Sequence, residues 1–348
     1  MAIRLLTPER HENLSFLTSA ALDFMVSEKE RAEYSEDIEN VDFLNIVKRE
    51  NDNSFPEPHH FSWKSDTSAD KFRITVNDES GHAIRFIETA ELSHEMPYLA
   101  AGKRFSWYVT AYCGNVPVEV SEIWEFSTAM EAPRFIRVDG TTNVRDCGGW
   151  LTKSGKRIVQ GNIFRGSGLD NAECDVTEDG RNTLLNEMHI KVDLDMRNYN
   201  ETPRDYAGVL SVNGVMRKHI PQTAYFHIFH DEGRTMMRDF FRELCDPTNY
   251  PCYIHCWGGA DRTGTIAYLL EAVLGVPHET LTLDYELTSL AYWGPRYRKI
   301  PDFAQFETEL AELYGYDGAD RSTQAERYLL DIGITPAEIE TLRRANLE

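Results

Sequence analysis

The chain has 348 residues, of which 41% are hydrophobic and 27% charged, with a formal net charge of -21. That length calls for two domains or more, and the composition is that of a globular chain. A surface this acidic repels nucleic acid and anionic membranes, so neither is expected as a partner. No window approaches the run of roughly 18 apolar residues needed to cross a membrane. The opening MAIRLLTPERHEN has no apolar stretch of signal-peptide length, so a cytoplasmic protein is expected. The six cysteines show no regular spacing, which argues against a disulfide framework or a zinc site, and no metal or cofactor is expected.

Residues 1–52 read as a partly helical N-terminal segment. Thr7 suits a cap, Pro8 the first helical position, and Leu14, Leu17, Ala21 and Phe24 recur at helical spacing. The charged run SEKERAEYSEDIEN reads as a solvated face and NDNSFPEP as a linker or turn. Over 53–132 the pattern changes to short aromatic and β-branched strands, HHFSWK, KFRITVND, RFSWYVTAY and SEIWEFST, punctuated by Gly102 and Gly114. Such strands predict an antiparallel sandwich, with Trp63, Trp107 and Trp124 as core rather than a sugar-binding platform. LAAGKRFSWYVTAY followed by SEIWEFST resembles the second half of a fibronectin type III domain.

From 133 to 348 the expected class is α/β. Buried strands VDLDM and CYIHC alternate with helices around Glu178–Glu187, Arg234–Leu244, Thr263–Leu274 and Phe303–Tyr314, which predicts a mainly parallel central sheet flanked by helices. The informative segment is Tyr253-Ile254-His255-Cys256-Trp257-Gly258-Gly259-Ala260-Asp261-Arg262-Thr263-Gly264-Thr265. It leaves a strand, passes two glycines and opens an apolar helix. That context suits a phosphate dianion, because a tight loop and a helix N-terminus both present unpaired N–H groups. Arg262 adds a planar fork for two phosphate oxygens. The same field should lower the Cys256 thiol from about 8.5 into roughly the 3.5–7.5 range and make it a thiolate nucleophile.

This segment resembles the signature loop of the protein tyrosine phosphatase superfamily, closest to its bacterial and lower-eukaryotic branch of tyrosine and dual-specificity enzymes. Further motifs are similar to that branch: Thr142-Asn143-Val144-Arg145-Asp146-Cys147-Gly148-Gly149, Gly161-Asn162-Ile163-Phe164-Arg165-Gly166-Ser167, Val192-Asp193-Leu194-Asp195-Met196-Arg197, Asp284-Tyr285-Glu286-Leu287-Thr288 and the closing Ala325-Glu326-Arg327-Tyr328-Leu329 to Gly333-Ile334. The resemblance implies Cys256 as nucleophile, Arg262 as phosphate ligand and Thr263 as stabiliser of the departing thiolate. Gly258, Gly259, Ala260 and Gly264 are expected around the phosphate, and the resemblance implies that the Asp146 loop lines one wall and that His255 braces the signature loop, while Trp257, next to the nucleophile, either walls an aromatic substrate or packs inward. Asp261 is the expected proton donor, or else an orienting partner of Arg262. Asp231, in HIFHDEG, is the second candidate or a solvated helix cap.

Expected ligands are a phosphorylated protein or small phosphomonoester, with phosphate, sulfate or vanadate in the loop and phosphotyrosine as the preferred class. An inositol polyphosphate or phosphoinositide phosphatase is the alternative. Ala260 stands where lipid-active relatives often carry Lys, although Arg296, Arg298 and Lys299 offer cations. A non-catalytic phospho-ligand binder is the remaining alternative. Cys147, in the Asp146 loop, is a candidate resolving thiol for an oxidised Cys256 or else an inert buried one.

Overall fold

The computed structural model describes residues 3–26 and 52–348. The chain divides into two compact units: residues 3–17 with 56–134, and residues 18–26 with 52–55 and 135–348. The expected N-terminal segment 1–52 is therefore shared between them.

In the first unit, β1 (Ile3–Thr7), β3 (His59–Ser65) and β6 (Ser93–Met96) form a three-stranded antiparallel sheet. A six-stranded sheet contains β2 (Asn13–Leu14), β9 (Trp124–Thr128), β7 (Arg104–Cys113), β4 (Lys71–Asn77) and β5 (Ala83–Thr89) in that order, with β8 (Val116–Val120) also pairing β7. The pairing is not antiparallel throughout, since β2 runs parallel to β9. Period two selects the core: Phe105, Trp107, Val109 and Ala111 of β7 are buried. They share one hydrophobic cluster with Ile3, Leu5, Phe61 and Trp63 from the smaller sheet. Phe61 meets Trp107 edge-on at 4.9 Å between ring centroids. Trp63 and Trp107 are core residues, while Trp124 is only partly buried against that core.

The helix expected from Thr7 does not form there. Ile3 and Leu5 alternate inward as a strand paired with β3, and Leu14 lies in β2. Helix α1 spans Ser19–Val26, with the Thr18 hydroxyl accepting from the Ala21 N–H and with Ala21 and Phe24 on its buried face. Leu14 and Phe24 thus belong to different elements, although their spacing imitates one helical stripe. The run SEKERAEYSEDIEN lies outside the described residues. The segment read as a linker is anchored at its start: Ser54 is fully buried and bonded by the Asn143 N–H, and the Thr142 hydroxyl donates to Asp52.

In the second unit, β10 (Arg145–Asp146), β11 (Ile163–Gly166), β14 (Cys252–His255), β12 (Val192–Asp195) and β13 (Met216–His219) form a five-stranded sheet in that order. The sheet is mixed rather than mainly parallel. β11, β14, β12 and β13 run parallel, whereas β10 is antiparallel to β11. The stretch between β10 and β11 contains no helix. Without a crossover element the chain can only double back beside itself.

The helices are α2 (Glu178–Asn182, continuing as a π-helical turn to Glu187), α3 (Asp231–Leu244), α4 (Asp261–Val273), α5 (His278–Glu286), α6 (Pro301–Tyr314), α7 (Arg321–Asp331) and α8 (Pro336–Asn346). α4 is buried on every side from Thr263 onward and follows directly from the central strand β14. A helix apolar all round belongs inside a fold, not on its surface. None of the described helices is long and apolar enough to cross a membrane.

Trp107 fills the first unit with no solvent exposure. Trp107→Ala should cost about 3–5 kcal/mol, read as a lower denaturant midpoint for the transition that follows the β-rich unit. An unchanged midpoint would contradict its place in the core.

Candidate active site

Strand β14 ends at His255, the loop Cys256–Ala260 follows, and α4 opens at Asp261. The loop's shape follows from what its carbonyls bond. The Cys256 carbonyl lies 2.9 Å from His255 Nδ1. That of Trp257 accepts from the Gly168 N–H at 2.9 Å and the Asn171 amide at 3.1 Å. Gly258 and Gly259 carbonyls accept from the Asn143 amide at 3.4 and 3.1 Å, and Gly259 also from Arg165 at 3.1 Å. In a trans peptide the N–H points opposite the C=O. Four carbonyls drawn outward therefore turn the N–H groups of residues 257–260 toward the other side, which is an anion nest. No side chain caps the start of α4, so its first N–H groups add to the nest.

Two glycines make this path possible. Gly259 has φ +68°, and a Cβ there would lie 2.3 Å from the Gly166 carbonyl oxygen. At Gly258 a Cβ would meet the Trp293 ring at 2.9 Å. Gly264, expected among the phosphate ligands, plays a different part: its N–H is used inside the helix by Ala260, and Tyr285 packs over it. Trp257 sits half-buried at the rim with its indole N–H donated to Glu173 at 2.8 Å.

The Cys256 thiol is buried. Burial would raise its pKa, but the Arg262 charge and the Thr263 hydroxyl and backbone N–H override that and hold it below the ordinary thiol value. The Thr263 hydroxyl has no other partner at hydrogen-bond geometry among the described residues, which leaves it free to serve the sulfur.

Arg262 itself is oriented by Glu201, to which its two Nη groups donate at 2.6 and 2.8 Å. Sequence reasoning missed Glu201, because no spacing signal links it to a loop 61 residues away. Behind the strand, His255 pairs with Asp193 at 2.9 Å, with Asp195 4.0 Å away. Burial lowers the imidazole pKa, but these carboxylates raise it to about 9.

Beneath the loop lies a fully buried ionic cluster. Arg145 donates to Asp284 at 2.9 Å and to the Asn143 side chain at 2.6 Å, and Arg165 donates to Asp284 at 2.5 Å. Asp146 is fully buried. Its oxygens accept from the Gly148 and Gly161 N–H groups, so it shapes its own loop, and Asn143 is the residue of that motif that reaches the signature loop. Cys147 is buried among Glu271, Arg165 and Asp284, and burial pushes its thiol far up, which favours the inert reading.

Asp261 does not pair with Arg262. Arg296 holds it through two hydrogen bonds, at 2.7 and 3.0 Å, and the Tyr225 hydroxyl donates to it as well. Asp231 is the first residue of α3 and is exposed. A cleft of about 480 Å³ opens beside Asp261 and Arg262, walled by Gln222, Thr223, His227, His230 and Met236. Asp231 is not among its lining residues. Among the described residues no cluster of three or more His, Cys, Asp or Glu side chains is arranged to hold a metal.

Removing the central carboxylate would strand two buried guanidinium groups. Asp284→Ala should cost about 3–5 kcal/mol and weaken phosphate binding, measured by urea denaturation and by vanadate titration. Intact vanadate affinity in folded protein would show that the cluster does not shape the loop. A second outcome concerns pH. The raised His255 pKa contributes stability that is complete below about 6.5 and fades as pH climbs through about 9. The wild-type urea midpoint should therefore fall over this interval more steeply than that of His255→Gln, and equal slopes would refute the ion pair.

Residues 136–348, more than half of the chain, match the tyrosine phosphatase family. No curated protein matches the sequence. Among solved structures the chain is similar to the core catalytic domain of the PP-IP phosphatase SIW14 from S. cerevisiae in complex with citrate, at 17% identity, over 44% of this chain and 87% of that one, with TM-score 0.32. It is also similar to the β-glucuronidase of Bifidobacterium dentium complexed with coumarin-3-O-glucuronide, at 12% identity, over 57% of this chain and 33% of that one, with TM-score 0.18. Likenesses this distant carry no argument about substrate. The Cys256–Arg262 loop falls within the matched region, and the chain belongs to the tyrosine phosphatase family, its C-terminal unit being a phosphatase.

Proposed function

We propose that the C-terminal unit hydrolyses phosphate monoesters through a phosphocysteine intermediate on Cys256, with phosphotyrosine as the preferred substrate class. The observation that carries this reading is the Cys256 thiol, held below its ordinary pKa at the floor of an N–H nest beside Arg262. In this reading the thiolate attacks phosphorus, Arg262 and the nest hold the equatorial oxygens, and Asp261 protonates the leaving oxygen. Water then releases phosphate, and Thr263 stabilises the departing thiolate.

The substrate class rests on the charges around the loop. Ala260 brings no cation. Arg296 is engaged by Asp261, and Arg298 by Glu286 and Glu279. Among the described residues, Arg262 is the lone Lys or Arg lining the cleft, and its other walls are mostly neutral or histidine. Such a site suits one phosphate on an uncharged body better than a polyphosphate. For the N-terminal unit the strand orders β1-β3-β6 and β9-β7-β4-β5 support a fibronectin type III-like reading.

The test is turnover of p-nitrophenyl phosphate, a phosphotyrosine peptide and an inositol hexakisphosphate, all with EDTA present. Cys256→Ser should lose at least about 10³-fold in kcat and still bind vanadate. Phosphotyrosine should exceed the polyphosphate in kcat/KM by at least about tenfold. Binding without turnover in the wild type would make the unit a phospho-ligand binder, and a preference for the polyphosphate would overturn the substrate class.

A further inference from the structure

Three side chains from separate parts of the fold, Arg296, Tyr225 and Tyr285, converge around Asp261. Arg296 donates from Nε to one carboxylate oxygen at 2.7 Å and from Nη2 to the other at 3.0 Å. Tyr225, from the segment before α3, donates its hydroxyl to the same carboxylate, and its oxygen lies 2.8 Å from that of Tyr285 on α5. Arg262 is the next residue in the chain. His227, His230 and Glu232 face the same cleft.

Arg296 is itself fixed. Its Nη1 donates to the carbonyls of Trp293 and Pro295, and its backbone N–H and C=O both bond the Ser289 hydroxyl. The guanidinium is thus aimed at Asp261 by its own chain, and it offers only donors. A carboxylic acid has one acceptor fewer and a proton to place, so this arrangement favours the ionised form. Burial would raise the Asp261 pKa, but Arg296 first, then Tyr225 and Arg262, hold it below the usual carboxylate value.

We propose that Arg296 is a positioning residue that keeps Asp261 ionised in the substrate-free enzyme, so that proton donation by Asp261 sets the upper pH limit of turnover on phosphotyrosine. This rests on Asp261 being the proton donor. In the first half-reaction the Sγ–P bond forms, the P–O bond breaks, and the Asp261 proton goes to the departing phenolate oxygen. In the second, a water oxygen bonds phosphorus, the S–P electron pair returns to Sγ, and the Asp261 carboxylate takes the water proton. Ionised Asp261 is unfit for the first step and ready for the second. The Arg296 fork therefore favours hydrolysis of the intermediate and makes its formation depend on acid. A nitrophenolate leaves without needing a proton, so p-nitrophenyl phosphate should escape this limit.

The experiment is the pH profile of kcat/KM for a phosphotyrosine peptide and for p-nitrophenyl phosphate, with wild type, Arg296→Met, Arg296→Lys and Asp261→Asn. Arg296→Met should move the basic limb on phosphotyrosine upward by roughly one to three pH units. Arg296→Lys, which keeps the charge and loses the fork, should move it less. The p-nitrophenyl phosphate profile should not shift. The proposal is overturned if Asp261→Asn abolishes the limb while neither Arg296 variant displaces it. If Asp261→Asn leaves the limb in place, the donor assignment itself fails, which is a separate result. Should Arg296→Met prove too unstable to assay, the Lys variant decides on the same criterion.

Discussion

The phosphatase unit depends on one buried carboxylate. Asp284, from α5, lies between Arg145 of β10 and Arg165 of β11, and none of the three has appreciable exposure. Burying three charges is costly, and the cost is tolerable only where each is paired and hydrogen-bonded. Here one further donor of each arginine is turned to the signature loop, Arg165 at the Gly259 carbonyl and Arg145 through Asn143. The cluster holds the loop's back face so that its N–H face is free for an anion. Glu271 of α4 lies beside this cluster, and burial together with Asp284 raises its pKa far up, keeping it neutral and leaving Asp284 as the one carboxylate for both arginines.

The same logic runs along the other side of the loop. His255 is buried as an imidazolium because Asp193 and Asp195 stand behind it, and its Nδ1 reaches the Cys256 carbonyl. Two ionic assemblies, one under the glycines and one under the strand end, thus fix the peptide planes that form the nest. This is how a chain of net charge -21 can offer an anion site. The long-range field is repulsive, but the phosphate would meet fixed N–H dipoles, a helix end and Arg262 within hydrogen-bond range, where local donors outweigh screened distant charge.

The nearest carboxylates are managed individually. Glu201 grips Arg262, Arg296 grips Asp261 and Glu173 takes the Trp257 indole N–H. Each contact couples a rim or loop residue to a segment distant in sequence, so the site is assembled from five or more stretches of chain rather than from the signature loop alone.

What the sequence determined by itself was local. His255 to Thr265 carries its strand, its glycine turn and its helix start in consecutive residues, so Cys256, Arg262 and the need for Gly259 are readable from propensity and sterics. The helical segments Arg234–Leu244, Thr263–Leu274 and Phe303–Tyr314 are likewise legible and correspond to α3, α4 and α6, and the alternating aromatics of β7 announce a half-buried strand. Tertiary structure decided what depends on partners far along the chain. The stripe from Leu14 to Phe24 imitates one helix but is divided between a strand and α1, because Asn13 and Leu14 pair with Ser127 and Thr128 of β9. The sheet became mixed because no helix joins β10 to β11. Asp146 turned out to bond its own loop, and Asp261 to face Arg296, 35 residues on, rather than its neighbour Arg262. Side-chain hydrogen bonds of that kind leave no period in a sequence, since what fixes them is the packing that brings two distant segments within 3 Å.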